Sequence, residues 1–349
     1  MSKVIVAVLM IVSLMGCAGS PESKDSKRLA EPDWVSNPGS AYPDSKYVSA
    51  VGYGTSRDNS EKNALGALVA IFGQTVKGET KASYKYQEAV IDGLLNSQEN
   101  RDIDSAVKTS FAMDSLIGAE IKDVWFDGKD TYYAIAVMDK LKSSMLYGDL
   151  IDSNLKLIGT LTNLPAAEKN TFTGYGCYNM AATIADANSV FINVLSVLSP
   201  ASAASYRMNA VSGDQYRLEA LQITKNIPVT ITVDKDYSGK IKGVFSEVYA
   251  NMGFKTGGDN SPYELLISVS MEEAVLNNPN KFVRYNIKAD LTEKNTSLVL
   301  FPYNINGREG STSMSEAENR ALRIIDQRIR EAYADELKEY MAGLSPKGK

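Results

Sequence analysis

The stretch Lys46-Tyr47-Val48-Ser49-Ala50-Val51-Gly52-Tyr53-Gly54 decides the fold of the first domain. Its β-branched and aromatic residues favour an extended strand, and its glycines favour a turn at the strand end. Asp58 to Glu61 then have the spacing of a capping box, which predicts the start of a helix. Apolar residues follow at the spacing of one helix face: Ala64, Leu65, Leu68, Val69, Phe72 and Val76. The sequence therefore predicts a strand followed by a helix with one buried face.

Two further strands are predicted to close this first unit, over residues 119–126 and 131–138. Asp127-Gly128-Lys129-Asp130 between them is typical of a tight hairpin turn. Residues 78–87 are polar and favour a loop or ragged strand. Residues 89–116 are predicted to be partly helical.

Five short motifs of this region occur in the order found in one known family. They are Pro32-Asp33-Trp34-Val35, Tyr47 to Gly54, the alanine-rich helix Glu61 to Phe72, Ile121-Lys122-Asp123-Val124-Trp125, and Tyr132 to Asp139. Together they resemble the LPP-twenty lipoprotein family of bacterial outer membranes. The resemblance implies an α+β domain over residues 32–140, similar to one in a periplasmic flagellar accessory protein. It implies no known enzymatic activity.

The N-terminus predicts secretion and lipidation. Val4 to Met15 follow a single cation and form an apolar run too short to cross a bilayer as a helix. The run ends in Leu14-Met15-Gly16-Cys17, which resembles a lipobox. That resemblance implies cleavage between Gly16 and Cys17, so residues 1–16 are the signal peptide, and acylation of Cys17 by palmitate-type chains.

Lipidation would fix the location of the mature chain. Each buried methylene of an acyl chain contributes ~0.8 kcal/mol, so two or three chains anchor the protein stably. The residue after the cysteine, Ala18, is not aspartate, and in this the chain resembles lipoproteins sorted to the outer membrane rather than the inner one. Residues 17–31 are polar and predict a flexible tether.

Composition excludes several classes of function. The formal net charge is 37 − 42 = −5, without a basic cluster, so no nucleic-acid partner is predicted. The chain has no histidine, which excludes Ser-His-Asp and Cys-His catalysis and histidine-bound zinc or haem. Carboxylate metal sites and Ser-Lys chemistry stay open, but no metal site, cofactor or catalytic residue is predicted. With Cys17 acylated, Cys177 is the remaining cysteine and is expected to be a small buried residue or, alternatively, an intermolecular link.

Residues 141–226 are predicted to form a helical connector. One apolar stripe consists of Leu146, Leu150, Leu155, Ile158 and Leu161, and a second consists of Met180, Ile184, Ala187, Phe191, Leu195 and Leu198, ending before Pro200. The second stripe could be mistaken for a membrane span. Asp186, Asn188 and Asn193 lie within it and would be unfavourable in lipid, so a buried helix is predicted. A third helix is predicted over residues 214–224.

Residues 227–349 predict a second α+β domain. The expected strands cover residues 229–233, 263–271, 282–291 and 297–303. A helix with inward-facing Ile241, Val244, Phe245, Val248, Tyr249 and Met252 follows the first strand, and Gly253 is expected to end it in the left-handed conformation. A capping box at Ser315 to Glu318 predicts the last helix. The fold class is therefore α+β, with two α+β domains joined by a helical middle segment.

Three patterns mimic chemistry without completing it. Ser153-x-x-Lys156, Tyr249-Ala250-Asn251 and Lys255-Thr256-Gly257 have the spacing of penicillin-binding enzymes, but the last is expected in a turn. Gly52-Tyr53-Gly54 lacks the remaining residues of a phosphate-binding loop and is better explained as a strand-to-helix turn. Glu272-Glu273 is expected at an exposed strand end.

The leading hypothesis is a non-enzymatic lipoprotein anchored in the outer membrane by its acyl chains, serving as a structural or partner-binding module. The 19 tyrosines favour protein contacts, although many would be half-buried in sheets. We expect an envelope protein partner and no small-molecule substrate. The alternatives are an envelope hydrolase acting on peptidoglycan or peptides, and an accessory protein of flagellar or envelope assembly.

Overall fold

A computed structural model describes residues 30–73, 116–258 and 260–344. The predicted signal peptide, most of the tether and the segments predicted over residues 78–87 and 89–115 lie outside these ranges. Within them the chain forms two sheets with helices packed on them, which confirms the α+β class.

The first sheet contains the predicted strand at residues 46–54. Two short helices, α1 (Asp33–Ser36) and α2 (Pro38–Ala41), precede β1 (Tyr47–Gly54), which is followed by helix α3 (Arg57–Ile71) and strands β2 (Glu120–Phe126) and β3 (Tyr132–Asp139). The strand order is β1-β3-β2, antiparallel throughout. The predicted hairpin at residues 127–130 is confirmed: the backbone N–H of Asp127 donates to the carbonyl of Thr131.

A helical segment follows directly. It comprises α4 (Lys140–Thr162), α5 (Ala166–Lys169), α6 (Phe172–Leu198), α7 (Pro200–Asn209) and α8 (Gly213–Thr224). The predicted helix ends before Pro200, as expected. Pro200 also begins α7, which was not predicted; proline is favoured at the first position of a helix. Among the described residues α6 alone is long and apolar enough to cross a membrane, and 67% of its most apolar window is buried in the protein.

The second sheet has five strands in the order β5-β4-β6-β7-β8. The elements are β4 (Pro228–Val233), α9 (Lys240–Asn251), β5 (Lys255–Thr256), β6 (Tyr263–Glu273), β7 (Lys281–Glu293), β8 (Leu298–Ser311) and α10 (Met314–Arg328), which continues through a π-helical turn (Ile329–Tyr333) into α11 (Ala334–Ala342). β4 pairs in parallel with β5 and β6, and the remaining pairs are antiparallel. Gly253 has φ +90°, which confirms its role in ending α9.

Two predicted helix starts are wrong by two residues. The N-cap of α3 is Ser56, whose side chain accepts from the backbone N–H of Asn59, and not Asp58. The N-cap of α10 is Ser313, which accepts from the N–H of Glu316, and not Ser315. In both cases a serine two positions upstream supplies the acceptor that the first turn needs.

Two apolar cores organise the molecule. The first joins the three-stranded sheet to α3, α4 and α6, with Ala64, Leu68, Met138 and Tyr147 at its centre. The second joins the five-stranded sheet to α9, α10 and α11. α6 contributes Met180 and its later apolar residues to the first core and Phe172 and Tyr178 to the second. The predicted domain boundaries at residues 140 and 226 stay predictions.

Candidate functional site

The predicted lipidation site lies outside the described residues. Gly16 and Cys17, between which cleavage is predicted, are both in the N-terminal segment that precedes residue 30. Their assignment stays a prediction from the sequence.

The residues that mimic a penicillin-binding site lie on separate elements. Ser153 and Lys156 lie on α4 of the first core, whereas Lys255 and Thr256 form β5 at the edge of the second sheet. The expectation that Lys255-Thr256-Gly257 forms a turn was therefore wrong for its first two residues, because they pair with β4. Tyr249 is fully buried and its hydroxyl lies 2.9 Å from that of Tyr333. Tyr249 is thus part of the second core.

The glycines that mimic a phosphate loop serve close packing. A Cβ on Gly52 would lie 2.0 Å from the backbone nitrogen of Ala64, and one on Gly54 would lie 2.8 Å from the Cβ of Asn59. Both positions must therefore lack a side chain for α3 to lie against β1. The strand-to-helix explanation accounts for both glycines.

The remaining candidates are also structural. Cys177 is free and fully buried, as expected, and burial raises the pKa of its thiol to about 11. Glu273 lies at the end of β6 and pairs with Lys281 at 3.1 Å. Across the ranges that the structure describes, no group of three or more cysteine, aspartate or glutamate side chains is placed to hold a metal ion.

Three aromatic residues form a row across the first sheet. Tyr53 on β1, Tyr133 on β3 and Trp125 on β2 are neighbours in the strand register. The ring centroids of Tyr53 and Tyr133 are 6.4 Å apart, and those of Trp125 and Tyr133 are 5.4 Å apart. We call Tyr53, Tyr133 and Trp125 the aromatic row.

The aromatic row lies on the sheet face opposite α3. Alternate strand residues such as Ala50 and Ala136 point into the first core with α3, so the odd-numbered positions of β1 and β3 point away from it. On that second face Trp34 packs against Ile135 and Val137 and covers the middle of the sheet. Tyr53 at the end of the sheet stays 68% exposed.

A rigid hairpin holds the aromatic row in place. Asp127 Oδ1 accepts from the backbone N–H groups of Lys129, Asp130 and Thr131 at 2.8, 3.2 and 3.2 Å. These hydrogen bonds, with that from Lys129 the strongest, lower the pKa of the Asp127 carboxyl. Beside the turn Phe126 and Tyr132 form a second ring pair with centroids 4.6 Å apart.

Contact chemistry rather than catalysis fits this surface. Exposed aromatic rings on a rigid support bury a large area at low entropic cost. Trp125 Nε1 is enclosed and has no hydrogen-bond acceptor among the described residues, although buried donors are normally paired. The abundance of tyrosine is visible in the sequence, but this row is not, because only the strand register brings the three residues together.

These features define an α+β protein whose first sheet carries the aromatic row on the face opposite α3. Residues 32–139 match the family model described as LPP20 lipoprotein, which confirms the family resemblance seen in the sequence. The aromatic row lies within the matched region. No curated protein matches the chain.

Several solved structures are similar to parts or most of this chain. The secreted protein HP1454 from Helicobacter pylori is 15% identical with a TM-score of 0.43, and the similarity covers 81% of this chain and 97% of that one. A minor lipoprotein from Acinetobacter baumannii is 11% identical with a TM-score of 0.24, covering 33% of this chain and 92% of its own. Rare lipoprotein B from Shewanella oneidensis is 15% identical with a TM-score of 0.23, covering 33% and 93% respectively.

Proposed function

We propose that this protein is a non-enzymatic lipoprotein of the outer membrane that binds an envelope protein partner through the aromatic row. Acyl chains on Cys17 hold it at the membrane. The observation that carries the partner-binding role is the aromatic row, in which exposed Tyr53 stands beside half-buried Tyr133 and Trp125 within the region matching the lipoprotein family.

Energetics support the choice of this surface. Interface hot spots are enriched in tryptophan and tyrosine, and removing one typically costs ~2 kcal/mol or more. Tyr53 provides an exposed ring, while Tyr133 and Trp125 are half-buried and held by their neighbours. Because Tyr133 and Trp125 are ordered before binding, a partner would lose little entropy in contacting them.

The anchor is tested by blocking the processing of the predicted lipobox. Cys17→Ala, or globomycin treatment of cells making the wild-type chain, is expected to leave the protein with its signal peptide uncleaved and outside the outer-membrane fraction. The measurement is membrane fractionation with mass spectrometry of the N-terminus. An unmodified N-terminal segment on a chain that still fractionates with the outer membrane would contradict the anchor.

The partner is tested by site-directed cross-linking in intact cells. A benzophenone amino acid in place of Tyr53 is expected to give a discrete cross-linked protein. The same amino acid in place of Leu141 is the control, because Leu141 is 73% exposed but lies on α4, away from the row.

The affinity of this protein for the cross-linked partner tests whether the aromatic row forms the binding surface. Tyr53→Ala is expected to weaken binding about 10- to 30-fold, as the loss of ~1.4–2 kcal/mol implies, while Leu141→Ala leaves affinity unchanged. Equal affinity of the Tyr53→Ala variant and the wild type would remove the aromatic row from the interaction.

A further inference from the structure

A long groove separates the two helices that cover the second sheet. It encloses about 880 Å³ between α9 and the α10–π-turn segment, within the range of small-molecule sites. β4 and β8 run in the same direction in the sheet. Helix α9 follows β4 and helix α10 follows β8, and each helix runs back across the sheet in the opposite direction to its strand. The two helices are therefore parallel. The groove therefore has two distinct ends.

An ion-pair network closes one end. Arg330 Nη1 lies 2.7 Å from Glu247, and Arg330 Nε lies 2.9 Å from Asp326. The charges at this closed end therefore compensate one another. The Arg330–Glu247 pair bridges α9 to the π-helical turn.

Spare positive charge marks the open end. Lys240 precedes Glu247 by seven residues, and Arg323 precedes Arg330 by seven residues, or about 10 Å of helix in each case. Lys240 makes no ion pair within the described ranges, and Arg323 reaches Glu316 only at 3.9 Å. Asn319 also lines this end. The carboxylate of Glu316 lines the groove as well, so a ligand anion would find two cations, an amide and one carboxylate there.

Between the two ends apolar side chains form the floor of the groove. Val244 on α9 faces Leu322 and Ile325 on α10, and Ile329 continues the floor into the π-helical turn. Gly243 leaves the α9 wall without a side chain, and a Cβ added there would meet no atom within 4 Å. The groove can thus accept a narrow apolar chain along its length.

We propose that this groove binds a single-chain amphiphile with one carboxylate. The hydrocarbon chain lies over Val244 and Leu322, and the carboxylate lies between Lys240 and Arg323. This ligand class goes beyond the partner-binding role of the aromatic row and does not depend on it, because the row packs on the Trp34 side of the first sheet whereas the groove lies over the second core. From the sequence we expected no small-molecule substrate, and the amphiphile is proposed as a bound ligand.

The test is calorimetric titration of the full chain carrying Cys17→Ala, purified without detergent, with dodecanoate. One saturable site is expected, and affinity should rise up to about fourfold for each methylene between octanoate and dodecanoate, as ~0.8 kcal/mol per buried CH₂ implies. Dodecyltrimethylammonium has the same chain with the opposite charge and should bind at least about tenfold more weakly. Equal binding of the two amphiphiles, or no saturable binding of dodecanoate, would overturn the proposal.

Matched variants locate the site. Gly243→Phe should abolish dodecanoate binding, whereas Gly159→Phe should preserve it, because Gly159 is likewise helical with open space around its Cβ but lies on α4. Lys240→Gln combined with Arg323→Gln should weaken binding about tenfold or more, and Lys242→Gln, an exposed cation of α9 outside the groove lining, should not. Unchanged binding by Gly243→Phe would place the ligand elsewhere. Binding to phosphatidylglycerol vesicles that Gly243→Phe weakens, without binding of free dodecanoate, would replace the proposed ligand by a bilayer lipid.

Discussion

The contact between Gly52 and α3 makes one quantitative prediction about the first core. A Cβ at position 52 would lie 2.0 Å from the backbone nitrogen of Ala64, whereas ordinary contacts are 3.4–4 Å. The backbone of Gly52 is not in the left-handed region, so backbone strain does not disfavour alanine there. The steric overlap with α3 is the only obstacle to a side chain at this position. For Gly52→Ala the helix must therefore move away from the strand by more than about 1 Å, since close-packed interiors cannot absorb such an overlap.

The expected cost is at the upper end of the overpacking range. Inserting a methyl group into a packed core typically costs ~1–3 kcal/mol, occasionally more. Here the obstructing atoms are backbone and cannot change rotamer, and moving α3 also separates Ala64 and Leu68 from the sheet. We expect Gly52→Ala to lower the free energy of unfolding by at least ~3 kcal/mol. Gly66→Ala is the matched control on α3, because its Cβ would meet nothing within 4 Å, and it should stabilise by ~0.5–1 kcal/mol.

Tryptophan fluorescence isolates this effect. Both tryptophans of the chain, Trp34 and Trp125, pack on the three-stranded sheet, so their emission during urea unfolding reports the loss of the sheet on which α3 packs. Circular dichroism of the same samples reports the helices of both cores. An unfolding midpoint of Gly52→Ala equal to that of the wild type, or a loss of stability in Gly66→Ala, would refute the packing argument.

Three further changes probe the second core and the helix shared by both. Ser313→Ala should cost about 1 kcal/mol in thermal or urea unfolding and Ser315→Ala much less, because only Ser313 accepts a hydrogen bond from the first turn of α10. Tyr333→Phe should cost ~1–3 kcal/mol by leaving the buried hydroxyl of Tyr249 unpaired, and the Tyr249→Phe/Tyr333→Phe double variant should cost less than the sum of the single variants. Burial raises the pKa of Cys177 from 9.0 to about 11, so its stabilising contribution is complete below pH 9 and is lost as the pH rises toward 11. Cys177→Ala should therefore lose less stability than the wild type between pH 9 and pH 11 in urea unfolding.

Local patterns predicted the elements of this fold well where packing and propensity agree. The alternating residues of β4 and the apolar stripe of α9 gave both elements within a few residues, because each pattern corresponds to one buried face. The strand β8 was predicted to end at Tyr303 but continues to Ser311. Its last part contains Gly307 and Gly310, which have low strand propensity.

Long-range pairing explains the extension of β8. In the register Gly307 lies opposite Tyr285, and Gly310 lies opposite Phe282. A Cβ at either glycine would lie within 2.5 Å of the facing aromatic ring or its hydroxyl. The rings of β7 therefore occupy the space above the glycines, an arrangement known to stabilise glycine in strands. A sequence pattern read along one strand cannot reveal this neighbour, and the same limit concealed the aromatic row.

The composition of α6 shows why a helix buried in a protein core can match a membrane span. A surface helix needs only one apolar face, but α6 is contacted by α4, α7, α8 and α11 and contributes to both cores. Gly176 allows close contact with α11, since a Cβ there would lie 2.4 Å from the carbonyl oxygen of Met341. Asn188 lies on another side, where its Oδ1 accepts from Asn154 at 2.7 Å within the protein. A helix surrounded in this way must be apolar on nearly every side, and its few polar groups must have protein partners, which is the pattern that the sequence of α6 displays.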